Sequence, residues 1–104
     1  MIVLPKDQSD YDNGLECPKC GGPNLHHGDV TVFSRHEDEK STTITTVESC
    51  GDVLVTQMKS LDCGNPSSRR DGLRIAFGCE NCGEVQDLCI AQHKGTTFMH
   101  WDGK

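Results

Sequence analysis

Two short cysteine turns carry the chemistry of this chain. Cys17-Pro18-Lys19-Cys20-Gly21 lies near the start and Cys79-Glu80-Asn81-Cys82-Gly83 near the end, so each reads C-x-x-C-G. Two thiolates three positions apart on a tight turn can grip one metal ion. The turn aims backbone amides at the sulfurs, and the glycine permits a backbone angle that a side chain would hinder. Four sulfurs complete the tetrahedral set of a structural zinc site and leave no corner open for water or substrate. Disulfides or free buried thiols are the competing readings. Seven cysteines is an odd count for a fully paired framework. Met1-Ile-Val-Leu4, followed by Pro5 and acidic residues, is too short an apolar run for a signal-peptide core, and no apolar stretch approaches a membrane span. The expectation is a cytoplasmic protein holding one zinc ion through Cys17, Cys20, Cys79 and Cys82, with iron the rival for an all-thiolate site.

On these four cysteines and the glycines that follow them, the chain resembles the zinc-ribbon family, in which two such knuckles clamp one zinc and each leads into a β-hairpin. The stretches 65–72 (NPSSRRDG) and 92–95 (QHKG) also look like short uncharacterised zinc-ribbon proteins of bacteria and their viruses, a likeness that brings no activity with it. The interval between the knuckles, residues 21–78, departs from the compact pattern of about 15–20 residues. Tripling a loop adds roughly 1 kcal/mol to its closure, whereas structural zinc contributes on the order of 10 kcal/mol. The metal wins, so the long interval reads as an insertion with structure of its own.

The elements that must position the knuckles follow from periodicity. Residues 1–14 combine a small apolar tip with turn formers and acids, which reads as a loosely attached arm before a single β domain over 15–104. The stretch 29–35 (DVTVFSR) alternates with period two and is rich in β-branched residues, a strand signature. The charged run 36–40 (HEDEK) reads as a solvated hairpin tip. A second strand over 42–48, a turn over 49–52 and a third strand over 53–58 complete an antiparallel meander, 29–58, inserted between the knuckles. The strand 72–78 (GLRIAFG) places Leu73, Ile75 and Phe77 inward and Arg74 outward, and delivers the second knuckle. Residues 85–93 fit a helix with Val85, Leu88, Cys89 and Gln92 on one face, or a strand with Leu88, Ile90 and Gln92 on one side. The hairpin habit of ribbons and a return strand over 96–101 favour the strand. The expected fold is all-β: a zinc ribbon with an inserted meander, about six strands, and little or no helix.

At 34% hydrophobic and 5% aromatic over 104 residues, the core must be thin, and small domains of this kind commonly need a staple. The net charge of −6 argues against indiscriminate attraction to nucleic acid. The acid is uneven: residues 1–60 hold five Lys/Arg against ten Asp/Glu, and residues 61–104 hold five against six. An anion-binding face therefore belongs in the C-terminal half. Ser67, Ser68, Arg69 and Arg70 offer hydroxyls beside two guanidiniums, which suits phosphate. Arg74, His93 and Lys94 would join that patch if their strands lie side by side. The plainer reading is a loop tied down by ion pairs to Asp71 or Asp62. Phe33, Phe77, Phe98 and Trp101 have faces on which bases could stack, but a chain this poor in aromatics needs most of them inside. Trp101 is the exception, able to anchor a protein partner.

Cys50, Cys63 and Cys89 read as small buried hydrophobes rather than a second metal site, and His26 and His27 are not needed as ligands. Catalysis is not expected. A zinc deaminase needs H-x-E followed by P-C-x-x-C, and this chain has neither in the required place. His-metal nucleases need a helix with metal-binding histidines after a strand, whereas His93 and His100 sit at strand positions. No G-x-S-x-G, H-E-x-x-H or P-loop occurs, and no small-molecule substrate is evident. Two functional readings remain. One is a protein-binding adaptor in transcription or virus-related machinery; the other is a ribbon that meets nucleic acid through the Arg69/Arg70 loop. Overall charge favours the adaptor, and fold alone does not decide function.

Overall fold

The computed structural model describes residues 14–103, so the expected N-terminal arm lies outside the described residues apart from Gly14. Six strands are present: β1 (Leu25–Ser34), β2 (Ser41–Val47), β3 (Val53–Lys59), β4 (Gly72–Cys79), β5 (Val85–His93) and β6 (Thr96–Gly103). They form one antiparallel sheet in the order β3-β2-β1-β4-β5-β6. A single 3-10 turn, Ser60–Asp62, is the only helical element among the described residues. The chain is all-β with six strands, as expected. Among the described residues no helix is long and apolar enough to cross a membrane.

Local chemistry explains the turns. Residues 85–93 are a strand because a two-residue hairpin follows them: Lys94 and Gly95 both take positive φ, 49° and 79°. That mirror-image turn matches the right-handed twist of paired strands. The β1–β4 pairing is the long-range step. It sets Leu25 opposite Cys79 and so brings the first knuckle, just before β1, against the second, at the end of β4.

Alternation along the strands gives the sheet two faces. On one face Phe33, Ile44, Cys89 and Thr42 are buried, the last two completely. The loop 60–71 lies over them. Ser60 Oγ shares a hydrogen bond with Thr42 Oγ1 (2.8 Å), and the Gly64 carbonyl accepts one from Arg74 Nε (2.9 Å). A Cβ on Gly72 would collide with Asn65 and Pro66, so glycine lets this loop sit directly on the sheet.

Arg74 faces this loop-covered side, contrary to the expectation that it points outward. Its guanidinium donates to Asp102 (2.7 Å) and to the buried Asp87 (3.2 Å) as well as to the loop carbonyl. Three acceptors satisfy the charge, which is the condition for burying one. Leu73, Ile75 and Phe77 consequently occupy the other face, where each is only half-buried. Arg74→Met should lower stability by roughly 3 kcal/mol, because it strips the guanidinium from a buried carboxylate. Urea unfolding should show a reduced midpoint; an unchanged midpoint would mean the cluster contributes nothing net.

Candidate metal centre

The two knuckles are built alike. In the first, the Cys17 amide donates to the Gly22 carbonyl (2.9 Å) and the Gly21 amide to the Cys17 carbonyl (2.8 Å). In the second, the Cys79 amide donates to the Glu84 carbonyl and the Gly83 amide to the Cys79 carbonyl, both at 3.0 Å. Gly21 and Gly83 share a φ of 74°, in the region where only glycine rests without strain. Backbone amides converge on the sulfurs, with Lys19 N–H on Cys17 Sγ and Gly22 N–H on Cys20 Sγ, each at 3.4 Å. A Cβ on Gly22 would run into the Asn81 side chain and the Cys20 sulfur, so that glycine permits the close approach of the two turns.

Across the knuckles, Cys17 Sγ lies 3.7 Å from Cys82 Sγ and Cys20 Sγ 3.6 Å from Cys79 Sγ. All four sulfurs fall within 4.8 Å of one another. A tetrahedron with metal–sulfur bonds of about 2.3 Å has edges of about 3.8 Å. The cluster therefore has the size of a four-thiolate site, while its sulfurs lie far beyond the roughly 2.05 Å of a disulfide. None of the seven cysteines is in a disulfide. Cys17 and Cys79 are buried, Cys20 and Cys82 exposed, so a bound ion would sit at the rim of the protein.

The thiols do not ionise alike. The Cys82 backbone N–H, helped by that of Asn81, lowers Cys79 to about 7. The Glu84 amide pulls Cys82 down, but burial and the neighbouring sulfurs of Cys79, Cys17 and Cys20 outweigh it and push that thiol up to about 12. Cys20 is also raised: the Gly22 amide favours its thiolate, yet the hydrogen bond with Cys79 and burial oppose it more strongly. The Cys79 thiolate thus forms readily, while Cys20 and Cys82 resist ionising beside it. A divalent cation at the centre removes that conflict, since it favours every thiolate at once. No other group of His, Cys, Asp or Glu among the described residues has ligand geometry. His26 does not join the sulfurs; its Nε2 lies 2.9 Å from Glu80 Oε1.

Of the other sequence candidates, the structure gathers some and scatters the rest. Ser67 is buried as a structural bracket: its hydroxyl donates to the Asp71 carbonyl and accepts from the Gln92 amide. The Ser68 carbonyl accepts from Arg35 (2.9 Å). Arg69 donates Nε to Asp38 (2.7 Å), and Arg70 pairs with Glu37 (2.9 Å). The loop is indeed tied down by ion pairs, but to Glu37 and Asp38 rather than Asp71 or Asp62. Asp71 instead accepts from the Arg35 amide (2.7 Å). The run 36–40 is an exposed hairpin tip, as expected, but it is also tied to the loop: the Asp38 amide donates to the Arg69 carbonyl, and Glu37 and Asp38 pair with the two arginines. The signal available in the sequence was charge complementarity, EDE in one loop against RR in another.

Arg70 borders a small groove with Gln92, Gly95 and Thr97, so the β5–β6 turn holding His93 and Lys94 does lie beside the loop. Arg74 belongs to its own carboxylate cluster under the loop. Trp101 lies on the opposite face, edge-on to Phe77 with ring centroids 5.8 Å apart. Cys89 is fully buried, as expected of a small hydrophobe, whereas Cys63 is half-buried and Cys50 is exposed on the β2–β3 turn.

Comparison with protein-family models, curated proteins and solved structures finds no match. The residues themselves must carry the reading.

Cys79→Ser should leave the chain unfolded at room temperature, since losing one ligand removes most of a contribution on the order of 10 kcal/mol. Cys50→Ser, at an exposed turn, should melt like the parent; circular dichroism distinguishes the two. A folded Cys79→Ser protein would contradict the assignment. Acid gives a second check. The Arg69 hydrogen bond and charge hold the Asp38 carboxyl below its ordinary 3.8. Stability from this pair is present above that range and is lost as pH falls through the folded-state value. Arg69→Gln should therefore melt slightly below the parent at neutral pH, and the gap should narrow as pH falls for as long as the metal stays bound. Because both groups are solvent-exposed the gap should be small, within a few degrees.

Proposed function

We propose that the four cysteines hold a structural zinc ion and that this ion fixes a zinc-ribbon-like β module whose role is to bind another protein. The observation that carries the reading is the pair of equivalent knuckles whose four sulfurs match the edges of a tetrahedron. A complete four-thiolate set leaves no position for a reacting water, which supports a structural rather than a catalytic ion. The all-sulfur donor set with this geometry suits zinc, the common occupant of such knuckles, over hard cations that prefer oxygen.

Two features support a protein partner over phosphate. The guanidiniums of Arg69, Arg70 and Arg74 are each engaged by carboxylates of this same chain, so a phosphate would have to displace them. Strand β3 is an edge of the sheet, exposed along all seven of its residues. Val53, Leu54, Val55 and Met58 are all exposed on it. An edge of this kind presents unpaired backbone groups and adjacent apolar side chains, the elements of recognition by strand addition.

Elemental analysis of the purified protein should find zinc, not iron, at one ion per four-cysteine cluster. Binding to single- and double-stranded DNA and RNA across a salt series should be absent at physiological salt and unaltered in an Arg69→Glu/Arg70→Glu variant. Micromolar binding that falls linearly with log salt and disappears in the variant would instead establish the arginine loop as a phosphate-contacting face.

A further inference from the structure

The face opposite the loop 60–71 is apolar across the whole sheet. One register row runs Val53, Val47, Val30, Ile75, Leu88 and Trp101, a hydrophobic residue on every strand. The next row runs Val55, Thr45, Val32, Leu73, Ile90 and Met99, interrupted only by a threonine. Polar residues flank these two rows at one end, with Gln57 opposite Thr43 and Gln92 opposite Thr97. Leu88, in the middle of the first row, is buried, but at the ends of the second row Val55 is 65% exposed and Met99 59%, so neighbours within the chain do not cover those ends. Among the described residues every regular strand belongs to this one sheet, and no second layer lies on this face.

Sheets bury an apolar face against another layer. We infer that this face packs against the same face of a second copy of the chain, forming a two-fold β-sandwich dimer. Three observations select that occupant. The first is charge: the chain carries 16 acidic residues and a net charge of −6. A two-fold interface must nevertheless be complementary to itself. This face meets the condition, because Asp87 and Asp102 lie on the opposite side with Arg74, and Lys59 at the far end of β3 is the one charged strand residue sharing it. The second is size: a face about 24 Å across its six strands and about 25 Å along them presents roughly 600 Å², most of the ~800 Å² per partner of a standard interface. The third is reach. The apolar segment Met1-Ile-Val-Leu4 of this chain measures at most about 14 Å when extended, shorter than the roughly 24 Å of a row crossing six strands. An apolar centre with a polar margin is also the anatomy of protein interfaces. Packing is of the aligned kind, with the rows of one sheet lying across those of the other at about 30°. It leaves the backbone edge of β3 free but buries Val53 and Val55, so a partner adding to that edge would have Leu54 and Met58, on the other face, as its exposed apolar contacts.

Sedimentation analysis of the metal-loaded full chain should give a mass twice 11.4 kDa, dissociating on dilution. A Val55→Glu/Met99→Glu variant places carboxylates at both ends of the row on side chains already exposed in the single chain, so it should keep the parent's metal content and circular dichroism while sedimenting as a monomer. A parent that stays monomeric at every concentration overturns the proposal. So does a dimer undiminished in the variant, which would place the contact elsewhere. A monomer that dimerises only after removal of residues 1–13 also overturns it, by showing that the chain's own N-terminal segment occupies the face.

Discussion

Four sulfur atoms cluster where the two central strands of this protein meet at one end. The first knuckle leads into β1 and the second terminates β4, and the two strands pair directly from Leu25 and Cys79 onward. Everything else is added to either side of that pair: β2 and β3 by local hairpins beyond β1, β5 and β6 by local hairpins beyond β4. The non-local step in the topology is thus the one that a metal bound by the four sulfurs would favour. Cys17 and Cys79, two of the few buried apolar residues, belong to the ligand cluster itself. A chain with so little conventional core has little else with which to close the β1–β4 pair.

A second set of contacts compensates for the thin core with polar groups that satisfy each other. Arg74 bridges Asp87 and Asp102 beneath the loop, Ser67 brackets that loop to β5, and Arg69 and Arg70 clasp the β1–β2 hairpin through Asp38 and Glu37. Such groups can be buried only when satisfied, and here each charge meets its counterpart or a carbonyl. The arrangement locks loop 60–71 onto one face and leaves the other with two apolar rows whose ends are exposed. Structure and surface chemistry therefore share one cause: the arginines that looked like ligand-binding groups are spent on holding the fold.

Much of this was legible in the sequence, and the limits are physical. The knuckles were legible because ligand spacing is local and glycine marks the strained turn positions, Gly21 and Gly83. The strands were legible because β-branched residues alternate within short windows. Which face would be covered was not, since β4 alternates apolar residues against a single arginine and the usual preference sends arginine to water. Only the distant acids Asp87 and Asp102 and the Gly64 carbonyl reverse it. The clasp between Glu37–Asp38 and Arg69–Arg70 was hidden for the same reason: its halves are far apart in sequence and meet only after the sheet has formed. The exposure of Cys50 follows from its place in the turn 49–52, which outweighs its character as a small hydrophobe.

The most direct test is circular dichroism of the metal-free chain during stepwise addition of zinc. The account predicts little sheet signal at the outset, growth with each addition, and saturation at one equivalent, matching one four-sulfur cluster. A full sheet signal before any metal is added, or saturation at a different ratio, would contradict it.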